Sequence, residues 1–295
     1  MSVSPVDDTV TAHGLRMHYR RWLPHTARSA FPPVLLIHGL ASASHIWNFV
    51  APLLAEQGYE AVALDQRGHG ESEKPDSSYD FSTILADDRA FIQALNLGRP
   101  TLVGHSWGAM VALQYAATYP EDCASLVLVD GAANQLSLRP GWTREQARQV
   151  LAPPRFAGTP RETFLSYIRE SPLGEQWSAE LEDTMLHIVQ LRDDDTVAPR
   201  LDFEHHLQII DAMWDQQTEE LYGQVRCPVT IIVADQESSD EQRQLYRRLR
   251  EESIERIQQH NPAVHIIWMR NTIHDIPLQR PAELAAQIMH AVRPD

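Results

Sequence analysis

The chain has 295 residues, of which 43% are hydrophobic and 22% charged. This composition excludes a disordered or fibrous protein and allows one large hydrophobic core. The formal net charge of −15 repels phosphate backbones and anionic membrane surfaces, so we expect no nucleic-acid partner.

The two cysteines, Cys123 and Cys227, are too few for a disulfide framework, and their spacing fits no metal-binding motif. The first ten residues, MSVSPVDDTV, lack the basic and apolar segments of a secretory signal. The longest apolar runs are the length of strands, far short of the roughly 20 residues that a membrane helix needs. We therefore expect a cytoplasmic protein without a membrane partner.

The first part of the chain predicts strands that alternate with helices. Residues 9–23 predict two strands joined at His13-Gly14. Short runs rich in Val, Ile and Leu predict strands buried on both faces, at residues 34–37, 61–64, 101–103 and 126–129. Apolar spacing between these runs predicts helices over residues 46–57, 83–97 and 107–118. This alternation predicts an α/β protein with a mostly parallel sheet and helices on both faces.

The alternation stops near residue 132. Residues 133–223 contain no strand-like run, carry 16 acidic and 8 basic residues, and show helical patterns at about 143–151, 160–170, 178–192 and 200–221. We interpret this segment as a helical cap inserted between two parts of a core, residues 1–132 and 224–295. The second part predicts, in order, a strand at 229–233, a helix at 240–259, a strand at 264–268 and a helix at 281–292.

The strongest chemical motif is GHSWG at residues 104–108, which follows a predicted strand and begins a predicted helix. The G-x-S-x-G pattern in this setting is a nucleophile elbow, whose sharp turn exposes a serine hydroxyl at the end of a sheet. The helix N-terminus adds positive potential where an oxyanion would form. The motif therefore predicts Ser106 as a nucleophile.

The dipeptide His38-Gly39 follows the predicted strand at residues 34–37. A turn at this point can direct a backbone N–H toward the nucleophile, and an oxyanion hole needs two such donors. We assign them to the backbone N–H groups of Leu40 and Trp107.

His274 lies after the last predicted strand and before the last predicted helix. Histidine suits a general base because its pKa lies near neutral pH. The chain order Ser, acid, His then requires a carboxylate between residues 106 and 274, on a loop that follows a strand. The candidates are Asp130, Asp235, Glu237 and Asp240.

These motifs resemble those of the α/β-hydrolase family, in particular its capped members similar to serine esterases. The segment DQRGHGES at residues 65–72 resembles a family loop with a structural role. The resemblance covers about 10–132 and 225–293, and it implies an eight-stranded sheet. The family's usual C-P-V and G-x-x-D pattern aligns with Cys227-Pro228-Val229 and with Glu237, although Ala234 replaces the usual Gly and Glu the usual Asp. The resemblance therefore implies Glu237 as the acid, with Asp130 and Asp235 as alternatives.

The resemblance implies hydrolysis of a small ester, lactone or thioester without a metal or organic cofactor. Dehalogenases and epoxide hydrolases of the family use Asp at the elbow to form an alkyl ester, and Ser106 is unsuited to that role. One alternative is hydrolysis of C–C bonds in β-diketone or dienoate substrates, which a basic residue such as Arg139 or Arg192 in the pocket would favour. Another is a ligand-binding receptor with slow turnover.

Overall fold

The computed structural model describes residues 3–25, 31–236 and 240–292. Within these residues no helix has both the length and the apolar composition needed to cross a bilayer. The strands are β1 (Val6–Ala12), β2 (Leu15–Trp22), β3 (Val34–Ile37), β4 (Ala61–Leu64), β5 (Thr101–His105), β6 (Ser125–Val129), β7 (Thr159–Pro160), β8 (Val189–Leu191), β9 (Thr196–Pro199), β10 (Val229–Asp235) and β11 (His265–Arg270).

Eleven α-helices accompany the strands in the described part of the chain. They are α1 (Ala51–Glu56), α2 (Phe81–Ala94), α3 (Trp107–Thr118), α4 (Arg144–Val150), α5 (Arg161–Glu170), α6 (Ala179–Ile188), α7 (Phe203–Asp215), α8 (Thr218–Leu221), α9 (Glu241–His260), α10 (Ile276–Gln279) and α11 (Pro281–Val292). The predicted helix at residues 46–57 begins instead as a 3₁₀ turn, Ser44–Trp47, and becomes α-helical at α1. Pro52 lies in the first turn of α1, where its missing N–H costs no helical hydrogen bond.

Eight strands form one sheet in the order β1-β2-β4-β3-β5-β6-β10-β11. The pairs β1/β2 and β2/β4 are antiparallel, and every other neighbouring pair is parallel. The predicted α/β class and the eight-stranded, mostly parallel sheet are thus confirmed.

Alternate residues of each central strand pack into different layers of the core. Leu35 and Ile37 of β3 join a cluster that includes α2 and α3, whereas Val34 and Leu36 join a cluster that includes α1 and α11. Side chains of a strand alternate between its two faces, so a strand covered by helices on both sides must be apolar throughout. This explains why β3 to β6 consist of short, continuous apolar runs.

The order in which successive strands are added to the sheet reverses at β3. The chain places β4 on one side of β3 and then returns to place β5 on the other side. In open α/β sheets, ligands bind in the crevice that forms at the carboxyl ends of the strands at such a switch point. Leu40 follows β3 and Ser106 follows β5, so both lie beside this crevice.

The segment 133–223, called the insert below, is not purely helical. The prediction that it lacks strands is wrong, because β7, β9 and β8 form a three-stranded antiparallel sheet. The strands β8 and β9 are joined by an aspartate-rich turn in which Asp195 adopts a left-handed φ of 59° and Asp194 accepts hydrogen bonds from Thr196. The predicted helix at 178–192 therefore ends at Ile188. The apolar residues around these three short strands have helical spacing, so the sequence pattern did not distinguish the strands from helix.

The predicted helix at 200–221 is also divided, into α7 and α8. Gln216 is extended between them, and its side-chain amide donates to the carbonyl of Met110 in α3 at 3.1 Å. Elsewhere the insert contacts the loop that follows β3, where His187 stacks on His45 with ring centroids 4.1 Å apart. Both contacts join the insert to segments that follow the carboxyl ends of β3 and β5.

The turn between β5 and α3 is tightly packed. Ser106 has φ 56° and ψ −119°, a backbone conformation unusual for a residue with a side chain. A Cβ on Gly104 would lie 2.2 Å from the carbonyl oxygen of Gly108, and one on Gly131 would lie 2.1 Å from that of Ser106. The turn therefore forms only because these positions lack side chains.

We predict that Gly131→Ala lowers the free energy of unfolding by about 3 kcal/mol, because the new methyl group meets rigid backbone. Gly223→Ala is the matched control, since its nearest contact would be an ordinary 3.4 Å and its effect should stay within about 1 kcal/mol. Urea unfolding of both variants measures the difference. Equal stability of the two variants would show that the turn has room for a methyl group.

Candidate active site

Ser106, His274 and Asp130 form a continuous hydrogen-bonded chain. His274 Nε2 lies 2.9 Å from Ser106 Oγ, and His274 Nδ1 lies 2.6 Å from Asp130 Oδ2. Ser106 caps α3, Asp130 follows β6, and His274 follows β11, so three separate strands bring the groups together. The side chain of His274 is 53% exposed, which leaves the imidazole accessible to a substrate.

Asp130 is buried, and each of its oxygens accepts hydrogen bonds from other elements. Besides His274, it accepts from the backbone N–H of Ala234 at 3.0 Å and from Arg250 Nη1 at 2.8 Å. Burial acts to raise the pKa of Asp130, but the hydrogen bond to His274 and the charge of Arg250 lower it below its usual value. The carboxylate is therefore ionised at neutral pH.

The pKa of His274 is raised. Burial alone would lower it, but the hydrogen bond with Asp130 and the negative charge of that carboxylate outweigh this effect. The nearby positive charge of Arg250 acts in the opposite direction and limits the rise. A proton leaving Ser106 would thus be received by an imidazole whose charged form Asp130 stabilises.

The other predicted acids have different partners. Asp235 is buried and pairs with Arg247 at 2.8 Å, and Asp240 caps α9 by accepting from the N–H of Arg243 at 2.9 Å. Glu237, which the register after Cys227-Pro228-Val229 favours, lies outside the described residues. Among the described carboxylates, Asp130 is the one that His274 contacts through Nδ1.

The predicted oxyanion donors flank the nucleophile. A Cβ built on Gly39 would lie 3.1 Å from Ser106 Cβ, so the turn that carries Leu40 packs directly against the serine. Trp107 is the first residue of α3, where a backbone N–H has no partner within the helix. In the described part of the chain, neither the Leu40 nor the Trp107 N–H donates to another group.

Two buried histidines hold the Leu40 turn in place. His38 Nε2 accepts from the N–H of Gln66, and its Nδ1 donates to the carbonyl of Gly39 at 2.7 Å. His69 Nε2 accepts from the N–H of Ala41 at 3.2 Å. Burial lowers the pKa of both histidines, so both are neutral at pH 7 and can accept these N–H bonds.

A third buried histidine supports His274 itself. His105 Nε2 lies 2.9 Å from the backbone carbonyl of His274 and donates to it. Burial and the neighbouring imidazole of His274 lower the pKa of His105 to about 4, which keeps His105 neutral. The sequence-based prediction overlooked this residue, although its position inside the GHSWG motif, one residue before the nucleophile, is the signal that could have found it.

Two clefts meet at Arg250. One, of about 580 Å³, borders Asp130, His274 and Trp268, and the other, of about 530 Å³, lies between Leu138 of the insert and α9. Arg139, one of the two arginines considered from the sequence, lines the second cleft, with its guanidinium between the rings of Trp142 and Tyr246.

The other arginine, Arg192, lies in the exposed turn between β8 and β9. Among the described residues, no cluster of three or more His, Cys, Asp or Glu side chains has the arrangement of a metal site.

Comparison with known proteins places the chain in a family. A model of the α/β-hydrolase fold matches residues 32–261, more than half of the chain. A soluble epoxide hydrolase of Corynebacterium sp. (strain C12) is 38% identical over 116 residues, 39% of this chain and 38% of that protein. The first curated relatives are matched over only about a third of their length.

Solved structures with the same fold cover nearly the whole chain. An E-2-(acetamidomethylene)succinate hydrolase superposes with a TM-score of 0.73 and 19% identity, over 98% of this chain and 99% of that one. The thioesterase domain from the curacin biosynthetic pathway superposes with a TM-score of 0.74 and 23% identity, over 97% and 99%. The family match and the shared architecture lead to one conclusion: the chain belongs to the α/β-hydrolase fold family.

Proposed function

We propose that the protein is a serine hydrolase that cleaves a carboxylic ester, lactone or thioester of a small molecule through an acyl-enzyme on Ser106. The observation that carries this proposal is the bridge made by His274, which lies 2.9 Å from Ser106 Oγ and 2.6 Å from Asp130. Such a bridge is the working arrangement of a nucleophile, a general base and an orienting acid. We assign the acid to Asp130 in preference to Glu237.

The first half of the reaction forms the acyl-enzyme. His274 Nε2 removes the proton of Ser106 Oγ as the oxygen attacks the acyl carbon, and the imidazolium is stabilised by Asp130. The carbonyl oxygen becomes an oxyanion, which the backbone N–H groups of Leu40 and Trp107 are positioned to bind. His274 then donates its proton to the leaving alcohol or thiol.

The second half releases the acid. Neutral His274 removes a proton from water, which attacks the acyl carbon of the ester on Ser106. The same two N–H groups hold the second oxyanion, and the proton returns to Ser106 Oγ as the acid departs. Each step uses only side chains, backbone groups and water.

Epoxide opening, the activity in the name of the Corynebacterium relative, does not suit this nucleophile. A carboxylate that opens an epoxide forms an ester, which water can hydrolyse through its acyl carbon. Ser106 would form a dialkyl ether, which has no acyl carbon for water to attack. The enzyme would therefore remain alkylated after a single reaction. The serine therefore favours acyl substrates.

A C–C hydrolase is the second candidate, and one contact favours it. Such substrates carry a carboxylate, and Arg139 of the insert lines a cleft that shares Arg250 with the candidate site. Arg192, in the exposed turn, offers less support. We place ester hydrolysis first because it needs only the Ser106, His274 and Asp130 arrangement. The third candidate is a ligand-binding receptor with slow turnover. Such a protein would bind its ligand without multiple turnovers.

We predict that the wild-type protein hydrolyses at least one member of a p-nitrophenyl ester series from acetate to decanoate. Ser106→Ala should lower kcat/KM by on the order of 10³-fold or more, because no other group provides the attacking oxygen. Steady-state release of p-nitrophenol measures this. If both proteins are equally inactive on esters, the same pair is tested on a β-diketone acid, with Arg139→Gln as a binding control.

Substitution of the acid distinguishes Asp130 from Glu237. Asp130→Asn should lower kcat by on the order of 10³- to 10⁴-fold, since the amide favours the wrong tautomer of His274. Glu237→Gln should stay within about tenfold of the wild type. Asp235→Asn is the control, because it removes an equally buried charge that does not contact His274. A large loss in Glu237→Gln with a small one in Asp130→Asn would reverse the assignment.

The pH dependence of kcat/KM should report on His274. The base acts when neutral, and the pKa of His274 is raised, so activity should increase with pH through a midpoint above the ordinary histidine value of ~6.5. Arg250→Gln should move the midpoint to higher pH, since a positive charge that disfavours the imidazolium is removed. Arg256→Gln is the control, because Arg256 on the same helix pairs with Glu219. A shift to lower pH in Arg250→Gln would show that Arg250 does not limit the pKa of His274.

A further inference from the structure

The two cysteines of the chain lie side by side although 104 positions separate them in sequence. Cys123 Sγ and Cys227 Sγ are 3.7 Å apart. Cys123 precedes β6 and Cys227 precedes β10, and these two strands pair in parallel, with Val229 opposite Leu126. Strand pairing, rather than local sequence, therefore brings the thiols together.

The two thiols differ in access and in acidity. Cys123 is fully buried and donates to the carbonyl of Ser125 at 3.1 Å, whereas Cys227 is only partly buried. The contact between the two sulfur atoms lowers the pKa of Cys227 and raises that of Cys123. The positive charge of Arg99 also lowers the pKa of Cys227. A partly exposed sulfur with a lowered pKa, 3.7 Å from a buried thiol, is the arrangement of an oxidation site with its resolving partner.

We infer that Cys123 and Cys227 are an oxidisable pair that closes to an intramolecular disulfide when the protein meets a hydroperoxide. The Cys227 thiolate attacks one oxygen of the peroxide and breaks the O–O bond, which gives a sulfenic acid at Cys227 and releases water. The Cys123 thiol then attacks the Cys227 sulfur and displaces a second water. Two thiols and one hydrogen peroxide yield one disulfide and two waters, so the peroxide takes both electrons.

Closure of the disulfide requires the two sulfur atoms to move toward each other. A disulfide needs a sulfur separation of about 2.05 Å, so the two atoms must approach by roughly 1.7 Å. Neither cysteine is part of a strand, so rotation of both side chains and a small backbone adjustment can supply this approach. The main loss is the hydrogen bond from Cys123 to Ser125.

The disulfide would form at the opposite end of β6 and β10 from the candidate site. Asp130 and Ala234 lie at the carboxyl ends of β6 and β10, and the cysteines lie before the amino ends of the same strands. The length of a five-residue strand, roughly 16 Å, separates the two regions. Closure should therefore change stability and leave the chemistry at Ser106 unaltered, and the inference does not depend on the proposed function.

The test uses the reduced 295-residue chain, treated with a stoichiometric amount of hydrogen peroxide and then alkylated with N-ethylmaleimide. Peptide mapping without reductant should identify one cross-link, between the peptides of Cys123 and Cys227. The oxidised protein should melt on the order of 5 °C higher than the reduced one, because the link closes a loop of about a hundred residues in the unfolded chain. Dithiothreitol should reverse both changes.

Single substitutions test the order of events. In Cys123→Ser, oxidation should stop at a sulfenic acid on Cys227, which dimedone captures. In Cys227→Ser, the buried Cys123 should remain unmodified. Three results on the wild type would overturn the inference without any variant: a dimedone adduct at Cys227 without the cross-link, disulfide-linked dimers, or two free thiols after peroxide treatment. A linked protein that melts no higher than the reduced one would contradict the stabilising role.

Discussion

The left-handed backbone at Ser106 is the constraint on which the rest of the site depends. It reverses the chain between β5 and α3 within one residue, and two backbone bonds hold it, from Ser106 N–H to the carbonyl of Val129 and from Ala109 N–H to the carbonyl of Ser106. Glycine at 104, 108 and 131 lets the neighbouring backbone approach closer than any side chain would allow. A strained conformation persists only where its surroundings over-determine it, and here the surroundings are the centre of the sheet. The hydroxyl is therefore held by the fold as a whole.

Histidine has two distinct roles around this turn, and burial separates them. His38, His69 and His105 are buried and neutral, and each uses a ring nitrogen to hold a backbone segment that flanks Ser106. Protonation of His38 or His69 would remove the nitrogen that accepts a backbone N–H, and the lowered pKa values keep all three histidines neutral at neutral pH. His274 is half exposed and has a charged partner, so it can change protonation state during a reaction. Histidine thus supports the backbone at three positions, and at a fourth it is placed so that it can gain and lose a proton.

The parts of the fold that local patterns encode could be predicted from the sequence. The apolar runs of β3 to β6 and the GHSWG motif at residues 104–108 appear where the spacing and turn residues predicted them. The strands β8 and β9 were missed because, unlike the equally short β3 and β4, they are not continuous buried apolar runs, although the aspartates before Thr196 are turn residues. The acid could not be decided because loop carboxylates after β6 and β10 have equivalent positions in the sequence. The contact of Asp130 with His274 depends on segments far apart in sequence, such as those that carry Ala234 and Arg250, and no spacing rule encodes it.

The surroundings of Asp130 explain why a buried carboxylate suits this position. Were it protonated, it would donate to His274 Nδ1 and stabilise the tautomer with the proton on Nε2, which cannot accept from Ser106. The hydrogen bond with His274 and the charge of Arg250 prevent this by keeping the pKa of Asp130 low, and the same charge limits how far the pKa of His274 rises. The N–H of Ala234 ties the carboxylate to β10. The charge and the position of the carboxylate are therefore set by α9 and the sheet together, so the same two elements fix the tautomer of His274.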